Sequence, residues 1–84
     1  MEKRIGVIAI IVENINNANI VNNVLHDYAN TIVGRMGMPY RERGVSVISL
    51  IVDGSMDEIS AMTGKLGKID GVTVKSAITK NKEE

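Results

Sequence analysis

Two apolar runs, "RIGVIAIIV" at 4–12 and "VSVISLIVD" at 45–53, constrain this chain more than any other feature. Both are rich in isoleucine and valine, whose branching at Cβ suits a pleated strand and crowds a helix. Both are short and bounded by polar residues, as central strands are. The chain has 84 residues, enough for one domain. A chain of this size buries only about 60–65% of its unfolded surface, so its core is marginal unless something else covers it. Trp and Phe are absent. The core must therefore come from Ile, Val, Leu, Met and Ala.

The segments between the runs complete a pattern. "ENINN" turns the chain after the first strand. From Asn16 to Asn30 the period becomes helical, with Ile20, Val21, Val24, Leu25 and Tyr28 on one face and asparagines mostly on the other. Asn14 or Asn16 can cap this helix. "TIVGRMGM" (31–38) mixes apolar residues with Gly and Arg and is expected as an edge strand, where glycine allows a bulge and Pro39 ends the ladder. After the second apolar run, Ser55 and Glu58 form a capping box. Met56, Ile59, Met62 and Leu66 carry the second helix to a stop at Gly67. "GVTVKSAI" (71–78) alternates as a last strand, and residues 80–84 are expected as a disordered charged tail behind a domain spanning 1–79.

The order is β-α-β-β-α-β. Two right-handed crossovers of this kind combine into an α+β, ferredoxin-like sandwich with a four-stranded antiparallel sheet. Its first and third strands are central, and these are the two most apolar runs. Two helices cover only one face of such a sheet, yet both faces are apolar here. In the first strand Ile5, Val7, Ala9 and Ile11 oppose Ile8, Ile10 and Val12; in the third, Val45, Val47 and Ile51 oppose Ile48, Leu50 and Val52. A large exposed apolar face marks an interface, so a homo-oligomer, dimer or tetramer, is expected. The candidate interface residues are Ile8, Ile10, Val12, Ile48 and Leu50, although the pattern itself does not say which face the helices leave free.

Charge and composition exclude several functions. Ten basic and ten acidic side chains cancel, whereas a phosphate-gripping DNA-binding domain carries a basic excess. Direct DNA binding is not expected, although an oligomer can gather Lys65, Lys68 and Lys75 into one patch. Without cysteine there is no disulfide, thiolate metal site or iron–sulfur ligation, which fits a cytoplasmic location. No apolar run nears the ~20 residues of a membrane span. "MEKR" followed by apolar residues reads as the start of a strand, not as a signal peptide.

Three stretches are candidate sites. "GRMGMPYRERG" (34–44) holds three glycines, the only proline and three arginines. Arg35, Arg41 and Arg43 can pin a planar oxyanion; equally, the stretch can be a soluble joint between strands. "ENINNAN" (13–19) lies between a strand's carboxyl end and a helix's amino end, where backbone N–H groups favour anions. There Asn14, Asn16 and Asn17 can read a polar ligand or simply cap and turn the chain. "GKLGKIDG" (64–71) is not a P-loop, since Ile59 and Leu66 stand where that motif needs glycine and Ser or Thr; it reads as a helix stop and turn. His26 is the only histidine. It points away from its neighbour Asp27 and has no ligand partner one turn on. No nucleophile–base set exists. No catalytic residue, metal or cofactor is assigned, and the chain is not expected to be an enzyme.

Two motifs resemble one family. "GRMGMPYRERGVSVISLIV" (34–52) and "AMTGKLGKIDGVTVK" (61–75), in this element order, resemble the iron-only hydrogenase system regulators over nearly the whole chain. Arg35, Gly37, Pro39, Arg41 and Glu42 fill the family's first motif; Gly64, Lys65, Leu66, Gly67, Ile69, Gly71, Val72, Val74 and Lys75 fill the second. The resemblance implies an ACT-like fold. It is shared with amino-acid-binding regulatory domains and with the C-terminal domain of nickel-responsive repressors. It also implies a regulatory role in the hydrogenase system, transcription regulation included. "ENINNAN" lacks the Pro-Gly turn of amino-acid-binding ACT domains, and the histidine and cysteine ligands of the nickel repressors are missing. Two functions follow. One is an oligomeric domain that binds a small polar ligand at a subunit interface, through Asn14, Asn16, Asn17, Arg35 and Arg41. The other is a ligand-free module for oligomerisation or for docking a hydrogenase-system protein.

Overall fold

The structure, a computed structural model, describes residues 2–80. The expected tail at 80–84 lies outside the described residues but for Lys80. The strands are β1 (Arg4–Val12), β2 (Ile32–Tyr40), β3 (Val45–Gly54) and β4 (Val72–Ile78); the helices are α1 (Ala18–Asp27) and α2 (Met56–Gly67). The sheet is antiparallel in the order β2-β3-β1-β4, so the two apolar runs are its centre. This is the ferredoxin-like βαββαβ sandwich.

Strand alternation decides which side chains meet the helices. Ile8, Ile10 and Val12 of β1 and Ile48, Leu50 and Val52 of β3 are buried with Val21 and Leu25 of α1 and with Ile59, Met62 and Leu66 of α2. The five residues expected at an oligomer interface, Ile8, Ile10, Val12, Ile48 and Leu50, are therefore core residues beneath the helices. The open face carries the other parity. Rows run across it from Met38 to Val47, Ile11 and Thr73, and from Met36 to Ser49, Ala9 and Lys75. Val7 and Ile51, cross-strand partners at its centre, are 46% and 49% exposed.

Other boundaries also differ from expectation. A 3-10 turn at Ile15–Asn17 precedes α1, and Asn14 caps that turn, its Oδ1 accepting from Asn16 N at 3.0 Å; α1 itself starts behind Asn17 without a side-chain cap, so neither Asn14 nor Asn16 caps it. Ile20 is half exposed and off the buried stripe. β2 runs through Pro39 to Tyr40, because on an edge strand only alternate N–H groups serve the ladder. Its bulge lies between Ile32 and Gly34, while Gly37 pairs regularly with Ile48. The capping box is complete: Glu58 N donates to Ser55 Oγ at 3.2 Å, and Ser55 N donates to Glu58 Oε1 at 2.9 Å. α2 ends at Gly67, and the left-handed turn before β4 falls at Gly71.

Candidate functional site

The helices leave one edge of the sheet uncovered, and the sequence of β2 explains it. The positions of β2 that face the helix side beyond the bulge are Arg35, Gly37 and Pro39, opposite Leu50, Ile48 and Ser46. Glycine and proline offer a helix little to bury against, so α1 packs over the centre of the sheet. An open groove of about 410 Å³ remains between α1 and β2.

Three chain segments meet there. The turn after β1 is tied down on both sides: Ile15 N donates to Gly44 O at 3.1 Å and Glu13 N to Gly71 O at 2.7 Å. The first bond joins it to the end of "GRMGMPYRERG". There a 3-10 turn, Arg41–Arg43, closes on Gly44 in the left-handed region at φ 69°. Two separated candidate stretches thereby become one site. Asn16, Arg35 and Arg41 all line the groove. Asn14 and Asn17 do not: Asn14 caps the 3-10 turn, and Asn17 Nδ2 donates to Asp70 O at 3.1 Å. Arg43 is also off the lining.

Two polar lining residues, Asn22 and Ser46, were not expected. Asn22 of α1 accepts from Arg35 Nη2 at 3.0 Å, a bond that crosses from strand to helix. It divides the groove from a second hollow that runs towards His26 and Val33. Asn22 belongs to the asparagine face assigned to solvent, and nothing in the sequence separates it from its neighbours. Ser46 is only 7% exposed, and its hydroxyl makes no hydrogen bond among the described residues. It had a signal: it is a hydroxyl on the stripe of β3 that otherwise reads Ile48, Leu50, Val52.

The electrostatics are one-sided. Arg35 and Arg41 reach the groove and no Asp or Glu among the described residues lines it. Guanidinium donors, amides and a free hydroxyl over an apolar floor of Ile48 and Pro39 suit a small anionic or polar molecule.

The remaining candidates resolve as structure. Lys65 Nζ sits 5.2 Å from the centroid of the Tyr28 ring, and Tyr28's side chain raises the lysine's pKa. Lys75 has the parity of the open sheet face and borders a shallow hollow shared with Gly64 and Gly67 at the end of α2. His26 is exposed. Among the described residues no group of three or more His, Asp or Glu side chains is placed to hold a metal, and no helix is long and apolar enough to cross a membrane.

Residues 4–76 match the model of the TM1266-like family, described as "Iron-only hydrogenase system regulator, putative". The chain belongs to this family. Among solved structures it is similar to the uncharacterized protein TM1266 from Thermotoga maritima, at 40% identity and a TM-score of 0.88, covering 94% of this chain and all of that one. It is also similar to a "putative PII-like signaling protein (TTHA0516)" from Thermus thermophilus, at 14% identity and a TM-score of 0.55, over 94% of this chain and 92% of that one. The second likeness is one of fold alone. No curated protein matches the chain. The two stretches that resemble the family border features described above: the first supplies Arg35, Gly37 and Arg41 to the groove, and the second forms the end of α2 and the turn into β4.

Proposed function

We propose that this chain is a cytoplasmic, non-enzymatic regulatory domain of the iron-only hydrogenase system, one ACT-like unit over residues 1–79. It self-associates through the open face of its sheet and binds a small polar ligand in the groove beside β2. The observation that carries this reading is the open face itself. Its centre is mostly apolar (Val7, Ile11, Val47 and Ile51 around Ala9 and Ser49), and charged residues, Asp53 and Lys75, stand toward its margins. An apolar centre with a polar rim is the anatomy of a protein interface. β2 borders both features: Met36 and Met38 belong to the open face, and Arg35 and Gly37 face the groove. A second copy seated on the open face thus brings the ligand site next to the subunit boundary.

Substituting Ile51→Glu together with Val7→Glu should reduce the solution mass to that of one chain, 9.1 kDa, with the helical and strand signals of circular dichroism retained. An unchanged multimer would place the interface elsewhere. The open face alone would also serve a ligand-free module that docks a hydrogenase-system protein. The two readings separate on a ligand-concentration-dependent rise in melting temperature, which a pure docking module lacks.

A further inference from the structure

We propose that the groove between α1 and β2 takes a small aliphatic carboxylate that bears no ammonium group, of the 2-oxo or 2-hydroxy acid class. This rests on the reading of the groove as the ligand site and names the chemistry of its occupant.

The donors define one end of the ligand. Arg35 comes from β2 and Arg41 from the turn that follows it, and both line the groove. Arg35 spends one Nη donor on Asn22, which fixes the plane of its guanidinium and leaves other N–H groups to give. The Arg41 side chain makes no hydrogen bond or ion pair among the described residues. Both arginines are exposed, so water serves them when the groove is empty, and their planar forks can offer paired donors to a carboxylate that enters it.

Ser46 marks where the ligand's second polar group falls. The Ser46 hydroxyl has no partner among the described residues and is not sealed from solvent, so it stands open to an occupant of the groove. A hydroxyl both donates and accepts, so it matches an oxo or hydroxy oxygen. Gly37 keeps the space open: a Cβ there would come no closer than 3.8 Å to Ile48 Cγ1 and 3.9 Å to Val47 O. Ile48, Pro39 and Ile15 give a short alkyl chain an apolar floor.

The same lining rejects an ammonium. It contains no acidic side chain, both of its charges are positive, and the Asn22 carbonyl is already occupied by Arg35. An α-amino acid would bring its cation among like charges with only neutral acceptors, the Asn16 amide and the Ser46 hydroxyl, to meet it.

The test is thermal denaturation and calorimetric titration of the full chain with 4-methyl-2-oxopentanoate, L-2-hydroxy-4-methylpentanoate, L-leucine and sulfate at matched ionic strength. The oxo or the hydroxy acid should raise the melting temperature with concentration, and L-leucine should bind roughly 10-fold more weakly or worse. Arg41→Ala should weaken binding by a similar factor. Gly37→Val should abolish it while keeping the fold, since Gly37 has an ordinary strand backbone with room for a side chain. If L-leucine binds as well as its oxo analogue and Gly37→Val abolishes both, the groove is a ligand site and the assignment of class is wrong. Equal binding of sulfate would overturn a carboxylate site. Binding that survives both substitutions, or no response to any probe, would overturn the proposal.

Discussion

The two faces of the sheet are almost equally apolar and do different things. On the covered face, Ile8, Ile10, Leu50 and Val52 are fully buried. On the other, Val7, Ile11, Val47 and Ile51 remain 40–49% exposed although they sit one residue away on the same two strands. The central strands cannot reveal which face is which, because both alternations are Ile and Val. The difference lies at the edge. Val72, Val74 and Ile78 of β4 continue the covered face, and Thr73, Lys75 and Ala77 continue the open one. On β4 the charged Lys75 marks the open side, whereas β2 reads the other way, with Arg35 on the helix side and Met36 and Met38 on the open face.

Substitutions can break this comparison or sharpen it. Leu50→Ala should have the largest effect, lowering the free energy of unfolding by about 2–5 kcal/mol at any protein concentration. Its neighbour Ile51→Ala, half exposed in one chain, should cost less in the single chain and the rest through assembly, so part of its effect should disappear on dilution. Chemical denaturation at two protein concentrations checks both. Equal, concentration-independent losses would mean that the faces are not distinct.

Within the covered side, Gly54 and Gly37 sharpen the contrast between a closed end and the groove. A Cβ on Gly54 would lie 2.8 Å from Thr31 Cγ2, a buried and branched neighbour, so Gly54→Ala should cost about 1–3 kcal/mol. Gly37→Ala, with no neighbour closer than 3.8 Å, should change stability by less than about 0.5 kcal/mol. Melting curves of the pair should rank them in that order; the reverse order would mean that the groove is filled.

A smaller effect, about 1 kcal/mol, is expected from Ser55→Ala at the start of α2. It has a pH signature. Ser55's backbone N–H and hydroxyl hold the Glu58 carboxyl below the usual glutamate value of 4.5. Because the folded pKa is the lower one, this contribution is complete above the unfolded value and disappears as pH falls through the folded one. The gap in melting temperature between Ser55→Ala and the unaltered chain should therefore narrow as pH falls below 4.5 without closing, because the bond from Glu58 N to Ser55 Oγ does not depend on the carboxylate. A constant gap would assign the loss to something other than the charged cap.

Much of the fold was legible in the sequence. The element order, the two central strands and the Ser55–Glu58 box follow from local patterns, because each depends on residues a few positions apart. The covered face was assigned to the wrong parity, since that choice depends on the register of β4 against β1, a long-range fact. The candidate site was half legible. Arg35, Arg41 and Asn16 stand out by chemistry. Asn14 and Asn17 have the same chemistry but spend it on the backbone at Asn16 and Asp70. Asn22 enters only because α1 lies across from β2. Ser46 was visible as a hydroxyl in an apolar stripe, but its meaning depends on the groove left by Gly37 and Pro39.

The most direct measurement is the native mass spectrum of the untagged chain at micromolar concentration. A dimer or tetramer that collapses to 9.1 kDa when Val7 and Ile51 are both changed to Glu is the expected result. A chain that is monomeric without any substitution would contradict the reading of the open face as the surface on which copies of this protein meet.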